Sequence, residues 1–419
     1  TITPNQNWVK ELDRRHMDSS FGSFRAPKND KRIITLCRPF AVVSKNAYSA
    51  PVTLPLGLAY LGGVLEKAGY KTKIIDATGE ERPFKITRTQ DNQYNLQGLN
   101  SDEILKKINP NTFIFGISLM FSEEWLLHRS LIQEIKKKYP KIIIVAGGEH
   151  SSAIPEYILR DCPSIDYVIR GEGEFSMLEF SYNLFNGKSV CDIPGISFID
   201  RENKFIDNGL SKRIEHIDQL PRPAWHLLKP ENYFNDYFTL GLYRGRNMPI
   251  LATRGCPYSC RFYCTYPLQQ GIKVRQRNPN LILKEMKHWK STLGIDFFIF
   301  RDPVFSINRK HTLELCDVLI KSNDKFKFII ETHLNNLDID LVKKLNILFI
   351  DMFKNEKDRD YEIIRISNPK NTNNFIEVTA QAISNEIASR ELTKVVDYIQ
   401  TKHQVILDDV RNRKELEIN

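Results

Sequence analysis

From Ile33 to about Gly187 short apolar runs alternate with longer amphipathic stretches, and the alternation occurs five times. Strands are predicted at Ile34–Cys37, Thr72–Ile75, Thr112–Ser118, Lys141–Ala146 and Tyr167–Arg170, and helices near 56–68, 101–108, 124–138, 153–160 and 174–186. Unbroken apolar runs such as Ile142-Ile-Ile-Val145 suit strands covered on both faces, so the expected architecture is α/β with a parallel, doubly wound sheet. A loop-rich stretch with Pro194, Pro221, Pro223 and Pro230 follows and reads as a linker, with Trp225 and Tyr233 as packing anchors. A second alternation starts at a strand over Pro249–Thr253. It continues with helices at Leu281–Lys290, Lys310–Lys321 and Ile339–Leu345 and strands at Phe297–Phe300, Phe326–Glu331 and Ile347–Met352. This pattern predicts a second parallel α/β layer or a partial barrel. The expected division is an extension over 1–32, a doubly wound domain over 33–190, a linker over 191–247, a partial barrel over 248–353 and a charged helical tail over 354–419.

Composition narrows the classes. At 419 residues the chain is long enough for two or three domains, and 41% hydrophobic with 26% charged residues is globular rather than disordered or fibrous. The most apolar segment, Leu54–Leu65, contains Pro55 and three glycines and falls short of the ~20 residues that span a bilayer. No membrane span is expected, and Thr1–Trp8 lack the basic and apolar regions of an export signal. Sixty Lys and Arg against fifty-one Asp and Glu give a net charge of +9 that is interspersed rather than patched, so no nucleic-acid partner is expected. Seven cysteines in such a chain point to reduced thiols or metal ligands and to the cytoplasm.

Three of those cysteines, Cys256, Cys260 and Cys264, fall within nine residues, in a loop opened by Gly255 and Pro257. Clustered thiolates hold an iron–sulfur cluster or zinc. A four-iron cluster held by three cysteines keeps one iron open to another ligand. Structural zinc usually adds a paired C-x2-C element or histidines, and no histidine lies between Cys256 and Pro267. Three free buried thiols are the remaining alternative. Cys37, Cys162, Cys191 and Cys316 stand singly and read as small apolar residues. Ligands of open α/β sheets bind at the carboxyl ends of the strands, which here carry Asp76-Ala-Thr-Gly79, Gly116-Ile-Ser118, Gly147-Gly-Glu-His150 and Gly171-Glu-Gly-Glu174. The small residues admit a bulky ligand to the backbone or simply turn the chain. No G-x-G-x-x-G follows the first strand, which disfavours a nicotinamide dinucleotide.

The stretch Arg254-Gly-Cys-Pro-Tyr-Ser-Cys-Arg-Phe-Tyr-Cys-Thr-Tyr-Pro267 resembles the cluster loop of radical S-adenosylmethionine enzymes. Residues Ile33 to Gly187 resemble the Rossmann-like cobalamin-binding domain that precedes the loop in one branch of that family. Pro55-Leu-Gly-Leu-Ala-Tyr-Leu61, Asp76, Gly116-Ile-Ser118, Gly147-Gly-Glu-His150 and Arg170-Gly-Glu-Gly-Glu174 match its pattern in order. The resemblance implies that Cys256, Cys260 and Cys264 ligate a [4Fe-4S] cluster whose open iron chelates S-adenosylmethionine, with reductive cleavage giving a deoxyadenosyl radical. It sets Phe262 or Tyr263 near the adenine, and Asp302 and Glu331 toward S-adenosylmethionine. It lays cobalamin over Asp76, Thr78, Gly116, Ser118, Gly147, Gly148, Glu149, His150, Gly171 and Glu172. Asp76-Ala-Thr-Gly79 lacks the histidine that ligates cobalt in other cobalamin enzymes, so no such ligand is expected.

Two features depart from the family. The last two cysteines are separated by three residues instead of two, and the barrel region holds fewer strand and helix units than the family's barrel. The implied activity is methyl transfer to an unactivated carbon or phosphorus of a small-molecule substrate, with a ferredoxin or flavodoxin-type electron donor. A ring-forming or rearranging enzyme of the same branch, a catalytically inactive cobalamin-binding protein and a zinc-stabilised binding protein are the alternatives. No catalytic side chain is assigned.

Overall fold

The computed structural model describes residues 23–44, 53–81, 85–89, 93–234, 246–258, 264, 266–322, most of 324–345, 361–367 and 377–382. They fall into two compact units, one running to Phe305 and including Phe328–Glu331, the other comprising Ser306–Lys327 and the chain from Thr332 onward.

The first unit opens with β1 (Ile33–Arg38), β2 (Ala41–Ser44), α1 (Leu56–Lys67), β3 (Lys71–Asp76), β4 (Ile86–Arg88) and β5 (Tyr94–Gln97). It continues through α2 (Ser101–Lys107), β6 (Thr112–Ser118), α3 (Trp125–Lys138), β7 (Ile143–Gly147), α4 (Glu149–Ala153), α5 (Pro155–Asp161), β8 (Tyr167–Ile169) and α6 (Gly173–Phe185). The sheet order is β10-β9-β8-β7-β6-β1-β3, where β9 (Ile196–Ile199) and β10 (Phe205–Asp207) form one edge. From β3 to β8 the neighbours pair in parallel, as the apolar runs predict. Alternation along β1 sends Ile34 and Leu36 to one core, with Leu58, Val64 and Leu65 of α1 and Met177, Leu178 and Phe180 of α6. Cys37 goes to the other, with Ile104 of α2, Leu131 and Ile135 of α3 and Ile158 of α5. The chain leaves β1 for β3 on one side and later reaches β6 on the other. That reversal marks the switch point, at the carboxyl ends of β1 and β6, where open α/β sheets form their ligand crevice.

Three regions differ from expectation. The region read as a linker contributes β9 and β10, both antiparallel, so the sheet extends to Asp207. Asp200, whose carboxylate accepts from the backbone N–H of Glu202 and of Lys204, and Asn203 at φ 61° close that hairpin. The prolines nearby outweighed this short strand pattern. A small antiparallel sheet, β2-β5-β4, had also gone unpredicted. In the tail expected to be helical, β16 (Tyr361–Ser367) and β17 (Glu377–Ala382) pair antiparallel in the second unit. Ile363, Ile364, Ile366, Val378 and Thr379 are strand-favouring β-branched residues.

The second alternation appears as β11 (Asn247–Ile250), β12 (Thr253–Arg254), α7 (Tyr266–Gln270), β13 (Arg275–Gln276), α8 (Pro279–Leu293), β14 (Phe297–Phe300) and β15 (Lys327–Ile329). β11 and β14 pair in parallel, with Met248 opposite Phe298. β12 and β13 form an antiparallel pair. In the second unit α9 (Arg309–Lys321) is capped by Asn308, whose side chain accepts from the backbone N–H of His311. Leu341, Lys344 and Leu345 are helical as predicted, whereas the predicted strand at Ile347–Met352 lies outside the described residues. Among the described residues no helix is long and apolar enough to cross a membrane.

Candidate functional site

The crevice is built from strand ends. Asp76 closes β3 and is buried. Its Oδ1 accepts from Arg38 Nε at 2.7 Å and its Oδ2 accepts from the Tyr233 hydroxyl at 2.5 Å. A Cβ on Gly79 would lie 1.9 Å from that hydroxyl, so glycine is what lets Tyr233 reach the strand end. Thr78 is buried and donates to the carbonyl of Pro39 at 3.2 Å. Gly116 is set by packing, since a Cβ there would come within 2.9 Å of Leu36. Asp76, Thr78 and Gly116 thus reach the crevice edge, yet their contacts there are to the protein itself.

Ser118 and Gly147 end β6 and β7 in register. A Cβ on Gly147 would meet nothing nearer than the Ile169 carbonyl at 3.8 Å, so space remains in front of it. Gly148 has φ +105° and approaches the Leu119 carbonyl so closely that a Cβ would sit 2.4 Å from the oxygen. Only glycine fits there. Glu149 begins α4, and His150 follows, 5% exposed, with Nδ1 2.8 Å from Ser122 Oγ. Its Nε2 is buried and has no partner among the described residues, and burial pulls the imidazole below its ordinary range. Gly171, at φ +83°, donates its N–H to Ser152 Oγ.

Two buried ionisable residues beside this crevice escaped the sequence reading. Glu124 accepts from the Val42 N–H at 2.9 Å, and burial pushes its carboxyl up to about 7. His128 donates from Nε2 to the Phe40 carbonyl at 2.9 Å, and burial pulls it down to about 4. The available signal was a histidine four residues after Glu124, on a helix whose same face carries Leu131 and Ile135.

The loop after β8 reaches the cysteine turn. Glu172, expected to face cobalamin, holds Arg275 through Nη1 at 2.8 Å and Nη2 at 2.5 Å and accepts from the Ile214 N–H at 3.0 Å. Glu174 holds Arg254 Nη2 at 2.6 Å, and the Tyr60 ring of α1 lies 5.2 Å from the Arg254 guanidinium. All five side chains are buried. Both arginines, more than 70 residues away in sequence, were invisible as partners. Arg254 leads into Gly255, at φ +98°, where a Cβ would stand 2.3 Å from the Lys273 carbonyl. Cys256, 5% exposed, donates its N–H to the Gly271 carbonyl at 3.0 Å.

Cys264 is half-buried; Cys260, Phe262 and Tyr263 lie outside the described residues. No group of three or more metal-ligating side chains occurs among the described residues. Asp302 is buried beneath β12, where Oδ1 accepts from the Ala252 N–H at 2.9 Å, the Thr253 N–H and Thr253 Oγ1 at 3.1 Å. Burial pushes this carboxyl up to about 7, and Oδ2 has no partner among the described residues. Glu331 is exposed, 3.7 Å from Arg301 Nη1.

The residues present fit both implied groups. The gap before Gly147 and the absence of side chains at Gly147 and Gly148 suit a broad ligand pressed on the strand ends. The soft sulfur donor of Cys256, held in a turn that only glycine allows, suits iron.

Residues 46–180 match the B12-binding domain family. The chain is 30% identical over 291 residues to cytidylyl-2-hydroxyethylphosphonate methyltransferase of Streptomyces wedmorensis, covering 63% of this chain and 53% of that protein. It is 28% identical over 271 residues to the anaerobic magnesium-protoporphyrin IX monomethyl ester cyclase of Rubrivivax gelatinosus, covering 64% and 44%. The chain therefore spans about half the length of the curated relatives it matches. Among solved structures, the cobalamin-dependent S-adenosylmethionine radical enzyme OxsB with aqua-cobalamin bound superposes with a TM-score of 0.58 at 18% identity, over 77% of this chain and 42% of that one. The radical S-adenosylmethionine methyltransferase TsrM of Kitasatospora setae, with cobalamin and a [4Fe-4S] cluster bound, gives a TM-score of 0.53 at 17% identity, over 76% and 57%. These findings define the class: a B12-binding domain in a chain with the fold of cobalamin-dependent radical S-adenosylmethionine enzymes. The resemblance to cobalamin-dependent radical S-adenosylmethionine enzymes is borne out at that level.

Proposed function

We propose that this chain is a cobalamin-dependent radical S-adenosylmethionine methyltransferase acting on a small molecule at an unactivated carbon or phosphorus. When bound, the cluster, S-adenosylmethionine and cobalamin supply one-electron cleavage of the sulfonium and methyl transfer; the protein positions them and excludes water. In this reading Cys256, Cys260 and Cys264 hold the cluster, with Phe262 or Tyr263 against the adenine. Ser118, Gly147 and Gly148 admit cobalamin to the strand ends, with Glu149, His150 and Gly171 at its margin. The observation that supports the reading best is the ion pair between Glu174, which follows the last parallel strand of the B12-binding sheet, and Arg254, two residues before Cys256. Both cofactor regions thereby belong to one buried polar network. A ferredoxin or flavodoxin in the cytoplasm is the proposed electron donor.

A ring-forming reaction is the second reading, favoured by the identity to the anaerobic cyclases. Anaerobic reconstitution with iron and sulfide, then incubation with S-adenosylmethionine, hydroxocobalamin and dithionite, tests the proposal. Deoxyadenosine is the expected product, and its absence contradicts catalysis. With a substrate in hand, a product heavier by one methylene supports methyl transfer, whereas loss of hydrogen without gain of carbon supports ring closure.

A further inference from the structure

Two buried carboxylates grip the segment Ala252–Arg254, next to the cysteine turn, through different groups. Asp302 Oδ1 gathers the N–H groups of Ala252 and Thr253 and the Thr253 hydroxyl, which fixes the backbone of β12. Glu174 fixes the next residue through the Arg254 guanidinium at 2.6 Å, with the Tyr60 ring against that guanidinium. Across the hairpin Arg275 stands in register with Arg254 and is held by Glu172. Gly255 then turns the chain against the Lys273 carbonyl, and the Cys256 N–H is already bonded to Gly271. The backbone leading to the first cysteine is thus constrained at Ala252, Thr253, Gly255 and Cys256, and the Arg254 side chain is held beside it.

We propose that Asp302 and Glu174 are positioning residues that pre-form the Cys256 ligand site, so that a cluster assembles on a sulfur already in place. The proposal rests on the reading of Cys256 as a cluster ligand. It gives Glu174 a duty toward the cysteine loop although it lies in the strand-end motif of the cobalamin domain, and it gives Asp302 one toward the backbone. Ligands held by packed neighbours need less ordering when the metal binds.

The test uses the full metal-free chain and its E174Q, E174D and D302A variants, alkylated with iodoacetamide and mapped by peptide mass spectrometry. Loss of these buried contacts implies that Cys256 reacts about tenfold faster in E174Q, which removes the charge facing Arg254, and in D302A, which removes the acceptor for Ala252 and Thr253. E174D, which keeps the charge, is expected to restore most of the protection, and half-buried Cys264 to react alike in all four. After anaerobic reconstitution the same two variants should hold less iron per chain and show broadened electron paramagnetic resonance, with unchanged hydroxocobalamin affinity. Equal alkylation of Cys256 in all four proteins overturns the proposal. Wild type that protects Cys256 but takes up no iron instead contradicts the cluster reading. Cys37, fully buried, is the folding control. Should E174Q expose Cys37 as well, Tyr60→Leu, which removes only the ring over Arg254, decides between the same two outcomes.

Discussion

Gly148 and Gly255 both depend on having no side chain. Each has a positive φ, and a Cβ would lie 2.4 Å and 2.3 Å from a carbonyl oxygen. Gly148→Ala and Gly255→Ala are each expected to cost roughly 1–3 kcal/mol of stability through backbone strain. Their losses should differ. Gly148→Ala is predicted to weaken hydroxocobalamin binding in a spectral titration, and Gly255→Ala to lower iron content after reconstitution; a reversed pattern contradicts the assignment. Glu124 makes a pH prediction. Burial raises its folded-state pKa from 4.5 to about 7, so its contribution is fully present below 4.5 and is lost as pH rises through 7. Wild type should therefore lose on the order of 3 kcal/mol relative to Glu124→Gln between those limits in urea denaturation. A pH-independent difference would show that the carboxyl is not held protonated. The glycines could be read from the sequence because turn chemistry is local. Glu172 and Glu174 could not be matched to their arginines, because ion pairing across a fold leaves no periodic trace.

Strands and helices obey the same distinction. Those of the parallel sheet were legible because continuous apolar runs alternate with amphipathic ones, and Asn100 with Glu103 forms the capping box that starts α2. The antiparallel β9 and β10 were not, since short edge strands among prolines resemble a linker. Tyr233 shows what that region does: it reaches back to Asp76 and Arg38 and ties the end of the supposed linker to the strand ends. Tyr233→Phe should lower stability by about 1–3 kcal/mol by leaving the Asp76 carboxylate short of a donor. Iron content after reconstitution should be unaffected, and a loss of iron equal to that of Gly255→Ala would refute the separation.

At the scale of the whole molecule, the net charge of +9 suits an acidic electron donor. Reduction of the reconstituted protein by a flavodoxin should slow as salt rises from 0.05 to about 0.5 M, because screening shortens the reach of charge. A rate independent of salt would exclude electrostatic steering. The order of the B12-binding domain and the cysteine loop was readable along the chain; their joining through Arg254 and Arg275 was not. The most direct test is metal and corrin analysis of oxygen-free wild type and Cys256→Ala, loaded with iron, sulfide and hydroxocobalamin. About four irons and one cobalamin per wild-type chain, with iron alone lost in the variant, is the predicted outcome. A wild type that binds zinc in place of iron, or neither iron nor cobalamin, would contradict it.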